Sequence, residues 1–173
     1  MSTRCQIIVK GSDVVVYRHS DGYPDGKHGV VAALKTIVMP FLKHRGLDTC
    51  YLPAHIVAGM IAEHKQDMDK LIRLAETEGR HDYVSSYEQS KYLGFGVEAY
   101  NEANDNALHG DIEFLYIVDE KGIEVRAADF RDDQPCNVAN TKHVKTVKFA
   151  TRTRQNALTS GISNGVQYAV AAV

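Results

Sequence analysis

The run Tyr17-Arg18-His19-Ser20-Asp21-Gly22-Tyr23-Pro24-Asp25-Gly26-Lys27-His28-Gly29 gathers two histidines, two aspartates, two cationic residues and three glycines in one stretch. A β-rich run, Val14-Val15-Val16-Tyr17, leads into it, and an amphipathic helical pattern begins at Val30. That places a polar loop against a helix N-terminus, where unpaired amides and the positive end of the dipole favour an anion. Gly26 and Gly29 let backbone approach a ligand closely, while Arg18, His19, Lys27 and His28 add charge. No acid occupies the first helical turn. The natural guest is a phosphate, with Tyr23 placed to stack on a base. The loop is neither a P-loop nor a G-x-G-x-x-G turn.

The same residues support two other chemistries. His19, Asp21, Asp25 and His28 are metal-ligand types, and His109, Asp111 and Glu113 form a second set at a strand entrance. Strand alternation puts Asp111 and Glu113 on one face, as a hard cation or an acid-base pair requires. Neither set has a zinc-type spacing such as H-E-x-x-H. Against both stands a purely conformational reading, since Asp-Gly and Pro-Asp-Gly are turn formers. In it, Asp21 closes an Asx-turn, Pro24 presets the next turn, and Arg18 and His19 are solvated strand-end residues.

The elements around this loop follow from periodicity. Gln6–Lys10 and Val14–Tyr17 flank the turn cluster Gly11-Ser12-Asp13 and read as a hairpin. The second run is apolar on both faces, as a strand covered on both sides would be. Val30, Ala33, Leu34, Ile37, Val38, Phe41 and Leu42 keep helical spacing, with Pro40 expected to kink or shorten that helix and Gly46 to stop it. From Pro53 to Glu78, the residues Val57, Met60, Ile61, His64, Met68, Leu71, Ile72 and Ala75 make one stripe of a longer helix ended by Gly79. His64 on that stripe reads as a satisfied core-edge histidine. The stretch from Tyr83 to Asn101 is ambiguous, with Tyr92–Tyr100 a candidate strand and Tyr87, Tyr92 and Tyr100 half-buried sheet residues.

Asp111–Val118 and Ile123–Arg126 form the clearest hairpin, with Gly122 expected at a positive φ and Ile112, Phe114, Tyr116 and Val118 on one face. Thr141–Ala150 adds a strand. Lys142, Lys145, Lys148, Arg152 and Arg154 follow with no acid after Asp133. The pattern predicts an α+β fold, an antiparallel sheet built from hairpins with two helices packed on one face. Residues 1–150 form a single domain, and 151–173 a C-terminal arm or tail.

At 173 residues, 44% hydrophobic and 24% charged, the chain can bury its own core. A formal net charge of -2 excludes nucleic-acid binding through bulk positive charge alone. No apolar run approaches the roughly 20 residues that span a bilayer, and the N-terminus has no signal-peptide core. Cys5, Cys50 and Cys136 lack C-x-x-C spacing and fit reduced thiols in a cytoplasmic setting. Cys50 has no His and Asp arrangement that makes it a nucleophile. The sequence calls for no cofactor and assigns no catalytic residue.

Ser2-Thr3-Arg4-Cys5-Gln6-Ile7-Ile8-Val9, the loop Tyr17–Gly26, and His109-Gly110-Asp111-Ile112-Glu113-Phe114-Leu115-Tyr116 together resemble a family of short proteins recurring in bacteriophage and bacterial genomes. The likeness covers roughly the first two thirds of the chain and implies a phage-associated intracellular protein. It carries no activity or catalytic residue set. Small phage proteins that capture nucleotide signals of host immunity are one class that suits an anion-binding loop. The leading expectation is therefore a homo-oligomer that binds a phosphate-bearing small molecule through Arg18, His19, Asp21, Tyr23, Asp25, Lys27 and His28, with His109, Asp111 and Glu113 beside them. The alternative is a metal-dependent phosphoesterase or nuclease using His19, Asp21, His109, Asp111 and Glu113.

Overall fold

In the computed structural model the described residues are 3–149, so the arm expected over 151–173 lies outside the described residues. Cys5–Val9 (β1) turns through Gly11 into Val14–Arg18 (β2), the expected hairpin. Gly11 takes a φ of +83°, a conformation that glycine adopts without a side-chain penalty. Three helices follow, Val30–Arg45 (α1), Tyr51–Thr77 (α2) and His81–Ser90 (α3), then Phe95–Ala99 (β3), Phe114–Val118 (β4), Gly122–Ala127 (β5) and Lys142–Lys148 (β6). The six strands make one sheet in the order β3-β2-β1-β4-β5-β6. All pairings are antiparallel except that of β1 with β4, which run parallel in register from Cys5↔Phe114 to Val9↔Val118. Two hairpins thus meet at a parallel seam, joined by a long crossover that carries all three helices. No helix among the described residues is long and apolar enough to cross a membrane.

Both sheet faces are covered, by different things. Ile7, Val9, Val16, Tyr116, Val118 and Val125 pack with Leu34 and Val38 of α1 and Leu52, Ile56 and Met60 of α2. Each fully buried aliphatic there stabilises the fold by about 1.5–3 kcal/mol. On the other face Ile8, Val15 and Leu115 pack under Tyr100, Leu108, Ile112 and Ala128 from connecting segments. Val15 and Val16 sit in opposite clusters, as a two-sided strand requires.

The structure corrects several expectations. The third helix, α3, was not legible because its sequence HDYVSSYEQS buries no residue. Tyr87 therefore lies on a helix, Tyr92 is 76% exposed after it, and Tyr100 is buried just beyond β3. Helix α1 continues past Pro40, whose ring sits on the solvent side while Phe41 anchors the last turns in the core. Helix α2 starts at Tyr51, with Pro53 in its first turn, and Leu71 is exposed rather than on the buried stripe. Ile112 belongs to the connecting-segment face, not with Tyr116, because β4 begins only at Phe114. For the same reason Asp111 and Glu113 precede the strand and alternation does not pair them. Gly122 is absent from the positive-φ positions. It is needed because a Cβ there would lie 2.4 Å from the Val147 carbonyl oxygen of β6. The turn itself is closed by Asp119, whose Oδ1 accepts from the Lys121 and Gly122 amides at 2.7 and 2.9 Å.

Candidate functional site

The loop after β2 is chiefly engaged with its own protein. It crosses β1 and β4 and reaches β6: the Gly22 amide donates to the Thr3 carbonyl (2.9 Å), the Tyr116 hydroxyl donates to the Gly22 carbonyl (2.7 Å), and Asp25 pairs with Lys145. Cβ atoms at Gly22 and Gly29 would fall 2.9 Å from the Thr3 oxygen and 2.4 Å from the Asp25 oxygen, so close packing demands both glycines. Asp21 takes a φ of +55°, a left-handed conformation that aspartate tolerates better than most residues. Arg18 Nε donates to the Ser20 carbonyl (2.7 Å), and its guanidinium lies 5.7 Å from the Phe95 ring centre.

At the helix start, the Val30 amide donates to the Tyr23 carbonyl (2.8 Å) and the Ala32 amide to the Gly29 carbonyl (3.0 Å). Two of the first three α1 amides are thereby committed before any anion arrives. His28 Nδ1 lies 3.7 Å from Asp67 on α2, and the hydrogen bond from Lys70 holds the Asp67 carboxyl below the usual range. Tyr23 and Lys27 are exposed.

His19, His109 and Asp111 come together on the opposite side of the sheet. The Tyr17 hydroxyl lies 3.0 Å from His19 Nδ1, and the Tyr17 ring packs 4.8 Å from the His109 ring. His109 Nε2 lies 2.6 Å from Glu98 of β3, and Asp111 pairs with Arg4 at 3.3 Å. The His109 amide donates to Gln6 Oε1 at 3.0 Å. Gln6 is completely buried, and its Nε2, like Arg4 Nε, has no hydrogen-bond partner among the described residues. Burial first, then the charge of Asp111, pushes the Tyr17 hydroxyl up. The ion pairs of Asp25 and His28 run elsewhere, to Lys145 of β6 and Asp67 of α2. Among the described residues no group of three His, Cys, Asp or Glu converges to hold a metal ion. Glu98, Arg4 and Gln6 were missed, although a lone glutamine inside an apolar strand was the available signal.

The concave surface lies on this same face, toward the turns. A groove of about 830 Å³ is lined by Ile8 and Ile117 and by Lys10, Lys121 and Lys148, with acids among them. No ion pair among the described residues engages these three lysines. Of the groove's acids, Asp119 is committed to its turn and Glu124 to Arg126, leaving Asp13, Glu102 and Glu120. A smaller hollow of about 330 Å³ lies between Glu98, His109 and Asn101, Asn104 and Asn106. Tyr100 and Asn101 line both spaces. The lysines were invisible as a set because each stands in a separate turn or edge strand. Burial drives the Cys5 thiol up to about 12, which makes it inert, and all three cysteines are free. Comparison with protein-family models, curated proteins and solved structures gives no match.

Proposed function

We propose that the protein binds a phosphate-bearing small molecule without transforming it, and that the phosphate lies in the groove between the β1–β2 and β4–β5 turns. The observation that carries this reading is the convergence of Lys10, Lys121 and Lys148 on a space of about 830 Å³. That volume falls within the roughly 300–1,000 Å³ of small-molecule sites. Ammonium groups with no ion pair among the described residues need break none to meet an anion, and charge-assisted bonds to phosphate are the strong ones. Ile8 and Ile117 supply apolar surface for a flat ring, and the remaining acids can accept from hydroxyls.

The resemblance to short phage proteins supports a nucleotide signal of host immunity as the molecule captured, in the cytoplasm of the infected cell. Self-association belongs to the same proposal, because β3 is an edge strand with Val97 half exposed while β6 carries protective lysines. The metal-dependent phosphoesterase reading needs Asp21 and Glu113 beside His19, His109 and Asp111, and the geometry does not favour it. Calorimetric titration of a panel of cyclic and linear nucleotides at about 100 μM protein tests the proposal, since Kd values up to about that level are detectable. Binding that Lys10→Gln or Lys148→Gln weakens supports it; no binding by any member refutes it.

A further inference from the structure

The groove is not an isolated space. Tyr100 and Asn101 form a shared wall with the smaller hollow, so a ligand held by phosphate in the groove has a second compartment within reach. The chemistry of that compartment differs. Asn101 Oδ1 accepts from the Ala103 amide (2.9 Å), Asn104 Oδ1 from the Asn106 amide (3.0 Å), and Asn106 Oδ1 from the Cys136 amide (3.2 Å). With their oxygens committed to local structure, the three carboxamides retain NH₂ groups as donors. Glu98 meets His109 through Oε2, which leaves Oε1 as an acceptor on the same hollow. Neutral donors beside a carboxylate acceptor, with the adjacent histidine already paired, match neither a phosphate nor an apolar group. They match hydroxyls, each of which donates and accepts at one atom.

We propose that the hollow holds the hydroxyl-bearing part of the ligand whose phosphate occupies the groove, so the ligand class is a sugar phosphate, nucleotides included. This rests on the groove reading and deepens it. A volume of about 330 Å³ lies at the small end of ligand sites, the scale of one sugar ring rather than a whole nucleotide. Gln6 supports the arrangement from below by accepting the His109 amide, fixing the backbone that carries this wall.

The experiment uses the full chain and three probes, inorganic phosphate, ribose and ribose 5-phosphate, followed by amide NMR titration. Ribose 5-phosphate should bind at least about tenfold tighter than phosphate. Asn104→Asp keeps the oxygen that accepts the Asn106 amide and removes the NH₂ donor. It should weaken ribose 5-phosphate by about fivefold and leave phosphate within about twofold, as loss of one hydrogen bond implies. Lys121→Gln should weaken both phosphorylated probes. Equal affinity for phosphate and ribose 5-phosphate, or no effect of Asn104→Asp and its companion Asn101→Asp on the sugar phosphate, overturns the inference while the groove reading survives. Equal weakening of both probes by Asn104→Asp also overturns it, because the new charge then acts on the phosphate alone. Absence of binding by both phosphorylated probes overturns the inference as well, and the nucleotide panel then decides the groove reading.

Discussion

Replacing Gly22 with alanine separates scaffold from site in the loop after β2. The added Cβ would sit 2.9 Å from the Thr3 oxygen, 3.0 Å from the Arg4 carbonyl carbon and 3.0 Å from Cys5 Cβ. These belong to or adjoin the central strand β1, which cannot withdraw without disturbing its pairing with β2 and β4. Overpacking of this kind costs about 1–3 kcal/mol. Any shift of the loop also stretches the buried 2.7 Å bond from the Tyr116 hydroxyl to the Gly22 carbonyl, worth about 0.5–1.5 kcal/mol more. The expected total is about 2–3 kcal/mol. For a chain of this size that lowers Tm by roughly 4–12 °C. Gly26, with a φ of +94° and nothing within 4 Å of its virtual Cβ, should cost only the backbone strain of about 1–2 kcal/mol when replaced by alanine. Lys27→Ala, on the open surface, should stay within about 0.5 kcal/mol. Urea unfolding of the three variants gives the ranking directly. A Gly22→Ala protein as stable as Lys27→Ala would refute the claim that close packing fixes this loop.

Two further outcomes follow from the ionisable groups. The Asp48 carboxyl is held below the usual range by the Tyr51 amide, Asp67 by its hydrogen bond from Lys70, and Asp69 by its hydrogen bond from Lys91. Because the unfolded chain takes up these protons first as pH falls, the stability these groups contribute is present above the unfolded carboxyl value and is lost as pH falls through the lower folded values. D48N/D67N lacks that contribution, so its stability, read by urea unfolding followed by circular dichroism at a series of pH values, should fall less steeply with acid than that of the parent, and an unchanged pH dependence would refute the reasoning. Thiol alkylation at pH 8 should label exposed Cys50 quickly and leave buried Cys5, with its thiol up at about 12, unmodified until the protein is unfolded in urea; rapid native labelling at Cys5, read by peptide mass spectrometry, would contradict the packing of β1.

Local pattern carried the hairpins β1–β2 and β4–β5, both long helices, and their glycine stops at Gly46 and Gly79, because periodicity and turn chemistry act over a few residues. It also located the polar loop between β2 and α1. It did not reveal that the loop's glycines answer to β1 and Asp25, nor that Asp25 is matched by Lys145, since those contacts depend on the crossover to β6. Helix α3 escaped because a helix with no buried residue carries no apolar stripe. The parallel pairing of β1 with β4 was equally hidden, as nothing local records which hairpin edges meet. That seam decides the candidate site: it brings Arg4 and Gln6 to Asp111 and His109, while β3 delivers Glu98 from the other side. Lys10, Lys121 and Lys148 face one groove only because the β1–β2 turn, the β4–β5 turn and the end of β6 fall at the same end of the sheet. Residue types and short-range spacing are written in the chain; which distant charges share a cavity is set by strand order and register.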